Sequence, residues 1–156
     1  MKQLWSTGTT KRYHTVAGLG QDVAAHSWGV AMIILKFNPS PSLNLIKAAL
    51  YHDCAEKFVG DAPAVAKWNN PALKEAMDDA EAKWDKTLGT GVSLTEFDRV
   101  WLKAADMLEL VLFCDHALML GNQYAREIRT RGLVYLHDMQ PLPVEIKEFI
   151  DGQQWN

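Results

Sequence analysis

Two histidines and two aspartates, set in apolar and helix-forming sequence, are the residues of this 156-residue chain best suited to chemistry. The adjacent pair His52-Asp53 interrupts IKAALYHDCAEKF, His26 lies in AAHSWGVAMIIL, and Asp106 lies in WLKAADMLELVLF. Two neutral imidazoles and two carboxylates are an ordinary ligand set for one divalent transition metal ion. All four stand where a helix would otherwise carry apolar side chains, and charge is rarely buried there unless it is paired or bound to a metal. A metal site is therefore the first expectation, with zinc, cobalt, manganese or iron all acceptable to such donors.

Further groups gather round these four. Glu56 follows His52 by one predicted helical turn and shares its face, so a carboxylate not needed as a ligand would stand beside the metal. A divalent cation lowers the pKa of water toward neutrality, and a nearby carboxylate can relay the proton while the oxygen attacks. Asp61, on the following loop, is a second acid/base candidate. Arg12 precedes His26 by fourteen residues, and its planar fork suits phosphate oxygens. Lys67 adds a second positive charge. Together these parts describe hydrolysis of a phosphate ester.

Ordinary readings stand beside the chemical ones. The two histidines and two aspartates could be ion-paired surface groups, and Lys67 a solvated charge. His14, His116 and His137 have no helical partner set and read as exposed or packing residues, and Glu109 as a salt-bridge former. Trp84 and Trp101 read as core by periodicity. Trp5 and Trp28 flank the site, where stacking on a base competes with packing; for Trp28, on an apolar helix face, packing is the favoured reading.

The elements that must position these residues are helices. Residues 22 to 37 carry Val23, Trp28, Val30, Met32, Ile33 and Leu35 before Pro39 interrupts, giving a buried helix with His26 in its first turns. Ser40 and Pro41 look like an N-cap and first-turn proline for a helix from about 42 to 58, with Gly60 placed for a left-handed C-terminal residue. GDAPAVAKW then reads as an irregular loop. Asn70-Pro71 opens a third helix, with Leu73, Met77, Ala80 and Trp84 on one face and acidic residues on a solvated face. Ser93-Leu94-Thr95-Glu96 reads as a capping box for a long helix to about Gly121-Asn122. A helix over roughly 122 to 131 and a short one after Pro143 complete the chain. No strand pattern exceeds a few residues. The expected fold class is all-α, a compact bundle of about six helices in a single domain spanning residues 1–156.

Composition limits the partners. With 48% hydrophobic residues the chain can bury a real core. A formal charge of −3 and dispersed lysines and arginines disfavour a nucleic-acid duplex or an anionic membrane, leaving a small anion recognised locally. No apolar run reaches the roughly 20 residues needed to span a bilayer, and MKQLWSTGTTKRYH has no signal-peptide core, so a cytoplasmic protein is expected. The two cysteines, Cys54 and Cys114, suit reduced, buried thiols.

The order of ligands, His26, His52-Asp53 and Asp106, resembles that of the HD-domain phosphohydrolases. The likeness extends to Arg12-Tyr13, to AAHSWGVAM, to ALYHDCAEKFVGDAPAVAKW and to KAADMLEL leading to GNQYAREI, over roughly residues 11 to 130. HD alone is a weak dipeptide, whereas HDxxExxxGD after an upstream HS is specific. These segments resemble the YfbR-type 5'-deoxynucleotidases and, equally, the short phage dATP triphosphohydrolases of the DatZ type. The resemblance implies that His26, His52, Asp53 and Asp106 bind one divalent metal ion. It also implies that Glu56 is the catalytic acid/base, that Asp61 holds substrate or a water at the metal, and that Arg12 binds a phosphate. Tyr13 stands where the nucleotidases usually carry a tryptophan that crowds the sugar 2' position. Ser27 is placed for phosphate or for groups behind the ligands, and Lys67 for phosphate.

The activity implied by the resemblance is that of a hydrolase removing the 5' phosphate or phosphates of a 2'-deoxynucleotide. The short length and absence of a C-terminal extension lean toward dATP, cleaved to deoxyadenosine and triphosphate, with dADP or dAMP also accepted. The alternative is a broad deoxynucleoside 5'-monophosphatase, and a third reading is a nucleotide-binding protein without turnover. Relatives of this kind are dimers or larger rings, so a homo-oligomer, dimer or hexamer, is expected.

Overall fold

In a computed structural model, which describes residues 1–13, 16–62 and 64–155, the chain forms nine helical segments and one two-stranded ribbon among those residues. In chain order these are α1 (Lys2–Thr7), β1 (Lys11–Arg12), β2 (Gln21–Asp22), α2 (Val23–Phe37), α3 (Leu43–Tyr51), α4 (Glu56–Val59), α5 (Ala64–Asn69), α6 (Pro71–Leu88), α7 (Glu96–Met119), α8 (Ala125–Asp138) and α9 (Val144–Asp151). The ribbon is antiparallel, with Arg12 opposite Gln21. The all-α class is thus observed.

α7 is the spine. Its buried stripe, Trp101, Ala104, Ala105, Leu108 and Val111, repeats at three and four residues and meets Val30, Ile33 and Ile34 of α2, Leu45 and Ala49 of α3, Leu136 of α8, and Ile146 and Ile150 of α9. α8 lies closest: a Cβ on Gly132 would stand 2.8 Å from Val111 Cγ2, so only glycine admits this approach. Beside it, the buried Arg129 donates to Asp115 of α7.

Several boundaries differ from the sequence expectation, most for a local reason. The N-cap of α3 is Ser42, whose Oγ accepts from Leu45 N–H, and not Ser40. The expected helix over 42 to 58 ends at Tyr51. His52 Nδ1 lies 3.0 Å from the Ala49 carbonyl, and Cys54 and Glu56 donate their amides three residues back, to Tyr51 and Asp53. That tightening makes residues 52–55 a turn, and Glu56 opens a separate helix. Gly60 has the positive φ, +87°, that glycine admits, but with ψ 152° it leaves α4 in an extended conformation and not in the left-handed helical one expected. Within the segment expected to be irregular, 60–62 carry no regular structure but Ala64–Asn69 form α5, since Ala64 to Lys67 are mostly good helix formers. α7 is capped by Thr95, which accepts from Asp98 N–H, two residues later than the Ser93 box. α8 starts three residues later and ends seven later than expected; packing on α7 overrides the poor helix propensity of Gly132.

α6 follows its expected start, with Asn70 as cap and Pro71 in the first turn, but buries no residue fully. Trp84 therefore belongs to a satellite contact, stacked on Phe58 with ring centroids 3.8 Å apart, whereas Trp101 lies in the core. Both cysteines are free and buried, and burial pushes the Cys114 thiol up to about 12. His116 is exposed, His137 lies 4.0 Å from Asp151, and His14 lies outside the described residues. No helix among the described residues is long and apolar enough to cross a membrane.

Gly132→Ala is expected to destabilise the fold by about 1–3 kcal/mol through overpacking against Val111. In a urea-denaturation cycle, Val111→Ala should recover part of that loss in the double variant; strict additivity would show that the two residues do not meet.

Candidate metal centre

His26 is carried on the buried face of α2, three residues after Val23 and four before Val30, and is itself fully buried. His52 and Asp53 come from the turn after α3, and Asp106 from the middle of α7. His26 Nε2 and His52 Nε2 face each other at 3.2 Å, and the ligand atoms of His26, His52 and Asp53 all lie within 4.8 Å of one another. Asp53 carboxylate oxygens lie 3.4 and 3.5 Å from the two imidazole nitrogens, and Asp106 Oδ1 lies 3.3 and 3.9 Å from them. The structure thus brings the four sequence candidates to one point.

The donor chemistry fits a cation. His52 Nδ1 donates to the Ala49 carbonyl, and His26 Nδ1 donates to Glu109 Oε2 at 2.5 Å, since a carboxylate can only accept. Each neutral ring therefore turns the lone pair of Nε2 toward the other, an arrangement that needs a proton or a metal ion between them. Metal–donor bonds of about 2.0–2.2 Å set donor atoms about 3.0–3.6 Å apart, close to the spacings found here. Without a metal, the proton serves: burial works against charge on His26, but Asp106 and Glu109 outweigh it and raise the group to about 9. Burial likewise opposes charge on Asp53 and Asp106. Even so, His52 and Arg12 hold Asp53 below its ordinary value, while His26 and Lys103 hold Asp106 well below.

Cations close the outer side. Arg12 Nη1 donates to Asp53 Oδ2, and Lys103 Nζ donates to Asp106 Oδ2 at 3.0 Å. Glu56 is buried with Oε2 unpartnered among the described residues; burial first, then Asp53, pushes it up to about 8. A carboxyl that exchanges its proton near neutrality is suited to acid/base work.

The remaining candidates are placed differently. Asp61 accepts from Tyr13 N–H at 3.1 Å, so its observed contact is with the end of β1. Tyr13 has φ +57°, an uncommon conformation for a bulky residue, and stacks on Phe113 with centroids 5.4 Å apart. Ser27 is buried, with Oγ unpartnered among the described residues. Lys67 is half-buried on α5, and its charge is felt at Glu56 and Glu81. Trp28, 65% exposed, stands two residues and so about 200° round α2 from His26. It therefore neither packs in the core, as its periodicity suggested, nor lines this site. Trp5 is also exposed.

Three participants escaped the sequence reading: Glu109, Gln21 and Lys103. Glu109, read as a salt-bridge former, is buried against His26. The signal was available, because it follows Ala105 by four residues on the core stripe. No comparable signal marked Gln21.

Residues 12–153 match the family model described as 5'-deoxynucleotidase YfbR-like. Among solved structures, the HD phosphohydrolase DatZ of cyanophage S-2L, bound to dA and one catalytic Zn2+ ion, is 24% identical with a TM-score of 0.71, over 95% of this chain and 90% of that one. An HD-domain phosphohydrolase of Listeria innocua is 20% identical with a TM-score of 0.73, over 97% of this chain and 84% of that one. At these identities the likeness is one of fold. No curated protein matches the sequence significantly.

Stripped of divalent ions, the protein is expected to lose stability as pH rises from 6.5 to 9. A raised pKa means that the folded state holds a proton that the unfolded chain releases earlier. The contribution of His26 is complete below 6.5 and lost by about 9, and that of Glu56 is complete below 4.5 and lost by about 8. Urea midpoints in chelator across this range check the sign, and a midpoint that rises with pH would contradict it.

Proposed function

The chain belongs to the YfbR-like 5'-deoxynucleotidase family, metal-dependent phosphoric ester hydrolases of the HD-domain type, and from that premise we propose that it cleaves the bond between the α-phosphorus and O5' of a 2'-deoxynucleotide, with dATP as the favoured substrate. The observation that carries this reading is the pair of imidazole nitrogens facing each other at 3.2 Å between two carboxylates, with Glu56, whose Oε2 is unpartnered among the described residues, close to Asp53. His26, His52, Asp53 and Asp106 would hold one divalent ion; zinc, cobalt and manganese all suit nitrogen and oxygen donors, and the zinc in the cyanophage neighbour supports the first. When bound, such an ion draws charge from the phosphoryl group and lowers the pKa of water.

The chain's own residues do the rest. Glu56 takes a proton from the attacking water as its oxygen bonds to the α-phosphorus, and gives it to O5' as that bond breaks. The deoxynucleoside leaves with a 5' hydroxyl, and the phosphate or triphosphate leaves as the second product. Arg12 turns its fork from Asp53 to the phosphate oxygens. Asp61 fixes the Arg12–Tyr13 backbone, and Tyr13 stands toward the sugar. Lys67 supplies charge for phosphates beyond the first.

The lean to dATP is supported by the dA bound in the cyanophage neighbour. A broad deoxynucleoside 5'-monophosphatase uses the same bond cleavage and the same residues, and differs only in what the α-phosphate carries. Self-association, as a dimer or hexamer, accords with the exposed apolar stripe Trp28, Met32 and Leu35 on α2.

The deciding experiment is product analysis with dATP, dAMP and dTMP, using metal-reconstituted protein, Asp53→Ala and Glu56→Gln. Triphosphate released from dATP in one step supports the favoured reading. Cleavage of dAMP and dTMP alone supports the monophosphatase, and no release by metal-loaded protein would leave a nucleotide binder without turnover. Asp53→Ala should lose metal and activity together. Glu56→Gln should keep metal while kcat falls about 10²–10⁴-fold.

A further inference from the structure

Glu109 lies in the apolar middle of α7, between buried Leu108 and half-buried Leu110, and is only 7% exposed. A carboxylate in such surroundings is tolerated when its oxygens are satisfied. Both are: Oε2 accepts from His26 Nδ1, and Oε1 accepts from Gln21 Nε2 at 2.6 Å, where Gln21 is itself nearly buried. The side chain runs through a slot that exists because residue 29 is glycine. A Cβ on Gly29 would stand 2.7 Å from Glu109 Cγ and 3.0 Å from Oε1. Three elements, α2, α7 and the end of the ribbon, are thus shaped round one carboxylate, which meets His26 at the nitrogen turned away from His52.

A ring that binds a cation through Nε2 must carry its hydrogen on Nδ1, and the partner of that hydrogen sets both the tautomer and the ring's direction. We propose that Glu109, seated by Gln21 and by the absence of a side chain at Gly29, is the positioning residue of the metal centre, holding the proton on His26 Nδ1 so that Nε2 presents its lone pair beside His52, Asp53 and Asp106. The proposal rests on the reading of His26 as a metal ligand.

The test is metal affinity, read by competition for zinc and cobalt against a chromophoric chelator, together with the visible spectrum of the cobalt form. Variants that keep the parent circular dichroism are compared. Glu109→Ala is expected to weaken binding roughly 10- to 100-fold and to alter the cobalt spectrum. Gly29→Ala, which removes no polar group and favours the helix, should weaken it in the same direction by displacing Glu109, and it carries the test if Glu109→Ala does not fold. Glu109→Gln, which keeps an acceptor for Nδ1–H, should recover most of the affinity. Parental affinity in Glu109→Ala or Gly29→Ala overturns the proposal, as does a Glu109→Gln variant no better than Glu109→Ala. His26→Ala separates the two readings. If it loses metal while Glu109→Ala does not, only the positioning role has failed; if it binds as the parent does, or if the parent binds no metal, the metal centre itself has failed.

Discussion

The structure turns on a fully buried imidazole with a demand at each nitrogen. His26 Nδ1 needs an acceptor and finds Glu109; its Nε2 meets His52 Nε2 at 3.2 Å, and two lone pairs cannot stay so close without positive charge between them. In a low-dielectric interior that charge must in turn be balanced, which explains why Asp53 and Asp106 lie within 3.5 Å of His26 Nε2. Arg12 then pairs with Asp53 Oδ2, the oxygen that faces His26 Nε2, and Lys103 with the outer oxygen of Asp106. Each ionic group near the centre is justified by its neighbour, so the cluster is tolerated only as a whole.

The helices answer to this requirement as much as to the hydrophobic core. α7 carries Asp106 and Glu109 three residues apart, so one helix face meets both sides of the His26 ring, while Ala105 and Leu108 bury the same face against α2. The break between α3 and α4 turns His52 and Asp53 inward, where a continuous helix would have carried them on along its own axis. α8 and α9 carry none of the four candidate ligands. They clamp the spine that carries two of the carboxylates, with Gly132 allowing α8 to approach closely.

Charge also orders the chemistry. Neighbouring cations hold Asp53 and Asp106 below their ordinary values against the effect of burial, whereas burial pushes Glu56, with one oxygen unpartnered among the described residues, up to about 8. In the proposed reaction, carboxylates in one small space would thereby be divided between holding a cation and moving a proton. The proposed cleavage at O5' needs that division whether the phosphorus attacked belongs to a single phosphate or to the first of a chain.

The sequence by itself determined the class of fold and the ligand types. Apolar residues at spacings of three and four, an Asn70-Pro71 start, a proline after α2 and a glycine after α4 are local signals, and each acts through a few neighbouring residues. His26, His52-Asp53, Glu56 and Asp106 stood out because charged and ligating groups were set in helix-forming sequence. Only the tertiary structure decided the rest. The meeting of His52 and Asp53 with His26 and Asp106, the extension of α8 past Gly132 and the burial of Glu109 against His26 and Gln21 depend on contacts between residues far apart in the chain. Helical periodicity says which face of a helix is apolar, but it does not say which other helix that face will meet, and a carboxylate's role depends on what it meets.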